Sequence, residues 1–187
     1  MTNTTPRVLL LPGWQNSGPS HWQSRWEALY GDQRVLQDDW MWPKRGDWMM
    51  QLDEALLAQP GPVVLVAHSL GCQLVAAWAA HSRHTGRVQA ALLVAPPDIE
   101  RDDAPPQIAT WRPIARQPLP FAAVALISSD DPFCAPERAH AMAQAWGAAA
   151  LELGPLGHIN GDSGLGDWPE GRAVLNSLLN TPDEDAD

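Results

Sequence analysis

The stretch Pro62–Ala80, PVVLVAHSLGCQLVAAWAA, decides the fold. Val63–Ala67 is a short, unbroken apolar run rich in valine. Such a run reads as a strand covered on both faces of a parallel sheet. Leu70–Arg83, rich in Ala and Leu, reads as a helix. Only His68 and Ser69 stand between the two, so a strand passes straight into a helix around Ser69. A turn this sharp requires small residues two before and two after the serine, and Ala67 and Gly71 occupy those places. Glycine at both is the commoner pattern, so the Ala67 methyl is a mild departure.

Outward from this core, further apolar runs read as strands at Val8–Leu11, Ala90–Ala95 and Ala122–Ser128. Weaker candidates lie at Arg34–Gln37 and Ala149–Leu153. Helical patterns fall between them. Ser20–Tyr30 sets Trp22, Trp26 and Leu29 on one stripe, and Asp47–Ala58 does the same with Trp48, Leu52, Ala55 and Leu56. Pro136–Trp146 opens with a proline suited to a first helical turn, and Arg172–Leu179 closes the pattern. Strands alternating with helices predict an α/β, doubly wound, mainly parallel sheet of about six strands with helices on both faces. Pro96–Pro120, with seven prolines, reads as a long loop or irregular excursion. A single domain is expected over residues 1–180, followed by an acidic, disordered tail at 181–187.

The chain has 187 residues and a formal net charge of −10, with four of its acids in that tail. An acidic protein repels phosphate backbones and anionic lipid, so neither nucleic acid nor a membrane surface is an expected partner. The longest apolar stretches, such as Leu74–Ala80, run seven residues, against roughly 18 for a membrane-spanning helix. The start, MTNTTPR, has no basic segment leading into an apolar run, so a cytoplasmic protein is expected. Cys72 and Cys134 are too few for a disulfide framework and are expected to be reduced. No His or Cys pair has metal-ligand spacing and no glycine-rich phosphate loop follows a strand. Neither a metal nor a cofactor is therefore expected.

The turn holds Ser69 at the carboxyl end of the sheet, where open α/β folds bind ligands. A serine hydroxyl becomes a nucleophile only beside a base. Of the six histidines, His158 lies in a glycine-bounded loop, LGPLGHING, after the last strand candidate, where the base of a Ser–Asp–His hydrolase falls in chain order. His68 adjoins the serine but is expected to project away from it. His81, His84 and His140 read as solvated, and His21, at a helix start, is ambiguous. The orienting carboxylate should follow the strand ending at Ser128, where Asp130 and Asp131 are both available; Asp162 is a weaker third. Backbone donors for an oxyanion are expected from Leu70, next after Ser69, and from Trp14, which follows Gly13 in the loop after the first strand. Six of the ten tryptophans lie between Trp14 and Trp48. Most should pack the core, and Trp14 is the best placed to wall a pocket.

LPGWQNSGPSHWQSRWE, VAHSLGC, SSDDPFC and GHINGDSGLGDWPEG occur in this order. Together they resemble the small serine hydrolases of the retinoblastoma-binding protein nine / YdeN family, a branch of the α/β-hydrolase superfamily. The resemblance covers nearly the whole chain. It implies a lidless minimal hydrolase with Ser69, Asp131 and His158 as its triad, acting on carboxylic esters or related acyl compounds. Alternating side chains at a strand end agree with that choice, since only one of Asp130 and Asp131 can face the histidine. Asp131, held extended by Pro132, is the better constrained. The expected partner is a small acyl substrate held in a shallow pocket that favours short acyl chains. Two alternatives share these residues: an amidase or aminopeptidase with the same triad, and a non-catalytic protein-binding module on a hydrolase scaffold. No partner motif supports the protein-binding role in the family's name.

Overall fold

The computed structural model describes residues 5–180. The expected tail at 181–187 lies outside them. Six strands form one all-parallel sheet: β1 (Arg7–Leu11), β2 (Gln33–Arg34), β3 (Val63–His68), β4 (Val88–Val94), β5 (Ala122–Ile127) and β6 (Ala149–Glu152). Their spatial order is β2-β1-β3-β4-β5-β6. The chain moves outward to one edge, returns across β1, and then winds to the other edge. This is the doubly wound topology expected from the alternation of strands and helices.

Side chains alternate cleanly along each central strand. Leu9, Leu11, Leu65, Ala67, Ala91, Leu93, Ala125 and Ile127 face one side. There they meet α2 (Arg45–Leu57), α3 (Leu70–Ala79) and α4 (Pro136–Trp146). Leu10, Val64, Val66, Leu92, Val94 and Leu126 face the other, against α1 (Trp22–Tyr30) and α5 (Pro169–Leu179). Double coverage is why β3 is buried at every position and why it reads as a continuous apolar run.

The sequence expectations shift at several places. In α1 the buried face is Trp22, Gln23 and Trp26, while Leu29 is exposed. Leu29 lies toward the solvent edge of that stripe although its spacing allows it to belong. Helix α3 stops at Ala79 rather than Arg83. Helix α5 begins three residues earlier than expected, with Pro169 in its first turn. Strand β2 is only two residues long. Within Pro96–Pro120 a short 3-10 helix, Pro106–Trp111, buries Ile108 and Trp111.

Many tryptophans pack the core as expected, and their indole N–H groups have a second use. Trp22 donates to the Ile159 carbonyl at 2.8 Å, Trp26 to Asp167 at 2.8 Å and Trp48 to Asp39 at 3.1 Å. Trp111 donates to Pro43 at 2.9 Å, and Trp146 to Ala115 at 2.7 Å. Each ring buries its bulk in the core and ties one loop carbonyl to it.

One contact places the serine. The end of β1 runs against the start of α3 so closely that a Cβ on Gly71 would lie 2.3 Å from the Leu11 carbonyl oxygen. That neighbour is backbone of the central sheet and cannot step aside. Gly71→Ala is therefore expected to cost about 1–3 kcal/mol, as for other overpacked interiors, and to disturb the turn at Ser69. Gly46→Ala, where a Cβ meets nothing within 4 Å, should be neutral or slightly stabilising. Urea unfolding of the two variants measures the difference.

Candidate active site

Ser69 sits at the junction of β3 and α3 with φ 55° and ψ −124°. A non-glycine residue there is strained. The strain persists because both sides of the turn are fixed. The Ser69 amide donates to the Val94 carbonyl at 2.9 Å, and its own carbonyl accepts from the Cys72 amide at 2.8 Å. Ala67, the departure from the usual glycine, is fully buried in register between Leu11 and Leu93. The strand accommodates its methyl.

His158 lies in the loop after β6, and Asp131 in the turn after β5. The structure brings both to Ser69. His158 Nε2 is 2.8 Å from Ser69 Oγ, and His158 Nδ1 is 2.9 Å from Asp131 Oδ2. The histidine and aspartate side chains are 8% and 4% exposed, so the contact is shielded from water while the serine borders a cavity. Asp162 lines the same cavity but has no bond to His158. Its side chain is exposed and its amide donates to Asn160 Oδ1.

The loop carrying His158 is held from several sides. Asp130 Oδ1 accepts from the Gly157 amide at 2.7 Å and from Ser128 Oγ at 2.9 Å. Asp130 is exposed and accepts within its own turn, and it also clamps the histidine loop. These donors hold its carboxyl below the usual range. Ser128 Oγ also accepts from the Leu156 amide at 3.0 Å. Ile159, next to His158, has φ 47°, an uncommon conformation for a β-branched residue.

Leu70 opens α3, so its N–H has no acceptor within the helix. A Cβ on Gly13 would stand 2.7 Å from Ser69 Cβ and 3.2 Å from Leu70 N. Glycine at position 13 thus lets the β1 loop lie against the serine. Trp14 follows, half-buried at the cavity, with its indole donating to the Met41 carbonyl at 3.0 Å.

The cavity is about 420 Å³, within the ordinary range for small-molecule sites. One wall is the loop after β1 with Asn160–Asp162. The other is the stretch expected as an irregular excursion, which contributes Ile99, Ala104, Pro105 and Ile108 beside Phe133. That wall is anchored by charge. Arg138 of α4 binds Asp98 at 2.9 Å and Glu100 at 3.1 Å, and Glu100 accepts from the Ile114 amide. Arg101 lies over the Phe133 ring, which meets the His158 ring edge-on.

Two histidines left out of the sequence-derived site are buried within it. His68 is 5% exposed and His21 is 5% exposed. His68 Nε2 is 2.9 Å from the His158 carbonyl oxygen, and His68 Nδ1 is 3.3 Å from His21 Nε2. As expected, His68 does not bond the serine, but it lies under the histidine loop. The signal for His21 was its place at the helix start, where its Nδ1 caps α1 by accepting from the Gln23 amide at 3.1 Å. Cys72 and Cys134 are free and buried. Burial pushes both thiols up, Cys134 to about 12. Among the described residues no group of His, Cys, Asp or Glu could hold a metal, and no helix is long and apolar enough to cross a membrane.

A parallel sheet of this order, with a serine on its strand–helix elbow and a histidine on the loop after its last strand, defines an α/β-hydrolase. The profile of the family described as Serine hydrolase matches residues 8–177. The chain belongs to that family. Among solved structures it is similar to a protein described as a YdeN-like hydrolase from Pectobacterium atrosepticum. The two are 28% identical with a TM-score of 0.83, over 94% of this chain and 91% of that one. The ydeN gene product of Bacillus subtilis is 21% identical with a TM-score of 0.69, over 95% and 100% of the two chains. A thermophilic esterase from Thermogutta terrifontis is 18% identical with a TM-score of 0.65, over 96% and 92%. No curated protein sequence matches significantly. The chain is thus a serine hydrolase with the α/β-hydrolase fold, similar in structure to YdeN-like hydrolases.

Burial holds His21 down to about 3 and His68 well below the ordinary histidine value. The unfolded chain takes up both protons near pH ~6.5, whereas the folded protein stays neutral there. The stability gained from neutral burial is complete above pH ~6.5 and is lost progressively as the pH falls toward 3. The slope reaches about 1.4 kcal/mol per pH unit for each proton taken up only by the unfolded chain. Urea midpoints measured between pH 7.5 and 4.5 should fall accordingly; a flat profile would contradict the burial of the pair.

Proposed function

We propose that the protein hydrolyses carboxylic esters or related acyl compounds through an acyl-enzyme intermediate formed on Ser69. The observation that carries this reading is the hydrogen-bonded line from Ser69 Oγ through His158 to Asp131 at the floor of an open cavity. His158 takes the proton as Ser69 Oγ attacks the acyl carbon, and returns it to the departing alcohol oxygen. Water then attacks the acyl-enzyme with His158 as base, which releases the acid and frees Ser69. Asp131 keeps the His158 proton on Nδ1 and stabilises the imidazolium. The amides of Leu70 and Trp14 receive the oxyanion. The placement of Gly13 against Leu70 N supports this pairing, and each such donor is worth roughly 3–4 kcal/mol in the transition state. The substrate is a small acyl compound, its acyl group against Ile99, Ile108 and Phe133 and its leaving group toward Asn16 and Asn160.

A fluorophosphonate probe tests the reading, because only an activated serine reacts. Wild type should be labelled at Ser69 and should hydrolyse short-chain p-nitrophenyl esters. Ser69→Ala should remain folded and lose roughly 10⁴-fold or more in kcat. Labelling without ester turnover, but with turnover of aminoacyl amides, would move the reading to an amidase. Neither labelling nor turnover would leave a binding module on a hydrolase scaffold.

Asp131→Asn should cut kcat by up to roughly 10⁴-fold, through the wrong histidine tautomer. Asp130→Asn keeps an oxygen for the Gly157 amide and should lose far less. Kinetics of the two purified variants side by side decide between the adjacent acids; a severe loss confined to Asp130→Asn would reverse the assignment.

A further inference from the structure

The His21–His68 pair can be assigned proton by proton. The Gln23 backbone N–H can only donate, so His21 Nδ1, 3.1 Å away, is an acceptor. A neutral His21 then carries its proton on Nε2, and that N–H points at His68 Nδ1, 3.3 Å away. His68 Nδ1 accepts, which leaves the His68 proton on Nε2. Its partner there is the His158 carbonyl oxygen at 2.9 Å, which can only accept. One direction runs through the whole chain: Gln23 N–H to His21, His21 to His68, His68 to the His158 carbonyl. A cationic His21 would break it, because an Nδ1–H would face the Gln23 N–H.

The chain ends on the backbone of the residue that must meet Ser69. On the next residue, the Ile159 carbonyl accepts from Trp22 Nε1 at 2.8 Å. Two successive carbonyls of the histidine loop, one in a residue at φ 47°, are thus gripped by buried side-chain donors. The His68 ring also lies against the His158 ring, with centroids 4.9 Å apart. Asp131 holds Nδ1 of the His158 ring, and Asp130 and Ser128 hold the loop before it at Gly157 and Leu156, but none of these fixes rotation of His158 about its own Cα. The carbonyl grip fixes that pivot.

We propose that His68 and His21 are positioning residues for His158: a pair of neutral imidazoles, locked in one tautomer, that holds the His158 carbonyl and so sets where its ring meets Ser69. The kinetic part of this rests on His158 being the general base. Displacements of the order of 1 Å in a reacting group can cost about 10²-fold, and that is the scale expected here.

The test uses His68→Leu, His68→Gln and His21→Leu in the full chain, with thermal unfolding and circular dichroism to establish folding. Leucine at 68 removes the donor, and glutamine supplies an amide N–H near the lost Nε2. Hydrolysis of p-nitrophenyl butyrate should show kcat lowered about 10- to 100-fold in His68→Leu with KM within about twofold of wild type. His68→Gln should recover most of the loss, and His21→Leu, which frees the His68 tautomer, should fall between. Two NMR readouts need no turnover. The low-field resonance of the His158 Nδ1–H should be present in wild type and His68→Gln, and broadened or displaced in His68→Leu. Nitrogen-15 shifts should place the protons of His21 and His68 on Nε2.

A folded His68→Leu with wild-type kcat and an unchanged low-field resonance overturns the proposal, as does a His68 protonated on Nδ1. If His68→Leu does not fold, His21→Leu and His68→Gln decide by the same readouts. Absence of turnover in wild type would count against the base assignment, while the resonances would still decide whether the pair sets the His158 geometry.

Discussion

The structure depends on a near-contact of two backbones. The end of β1 passes the elbow at a separation that only hydrogen can fill on Gly71, and the loop beyond passes Ser69 at a separation that only hydrogen can fill on Gly13. These two approaches bring the β1 loop, the serine and the first amide of α3 into one small region. The apolar sheet supplies the stiffness. Every residue of β3 is buried, so the elbow cannot relax by moving the strand, and Ser69 holds a backbone conformation it would not adopt alone.

The histidine side is built differently. The loop after β6 has little regular structure, and β6 itself is an exposed edge strand. The loop is fixed by donors and acceptors reaching out from firmer elements: the Trp22 indole of α1, the Asp130 and Ser128 side chains after β5, and the His68 ring at the end of β3. Burying His68, Ser128 and the Trp22 indole is tolerable because each finds a hydrogen-bond partner. The serine is held by packing and the histidine by hydrogen bonding, and the two meet at 2.8 Å.

The sheet was legible because burial on both faces leaves an unmistakable record: Val63–Ala67, Ala90–Ala95 and Ala122–Ser128 are apolar at nearly every position. The elbow was legible because a strand and a helix abut with no loop between them. Ser69, Asp131 and His158 could be picked out by chain order and flanking residues, and the fold brings those three together. What did not show was side-chain direction. Leu29 falls off the stripe of α1, although its spacing allows it to belong. That Asp130 also accepts from the Gly157 amide did not show, because nothing local points to a partner 27 residues away. His21 and His68 are 47 residues apart in sequence, and their pairing exists only once α1 packs beside β3. Polar contacts between distant residues carry no periodic signature, whereas apolar faces do.

The charged anchorage of the outer cavity wall has a consequence for how such a site can diversify. The wall formed by Ile99–Ile108 is tied to α4 through Arg138, Asp98 and Glu100, which lie at or near the surface. The elbow and the histidine loop draw on a largely different set of residues, from β1, β3, α1 and the turn after β5, with the Phe133 ring meeting both the wall and His158. Substitutions that reshape the wall at Ile99–Ile108 therefore do not pass through the residues that align serine and histidine. Selection could remodel what the cavity admits while leaving the reacting groups in register, a modular inheritance within a chain of 187 residues.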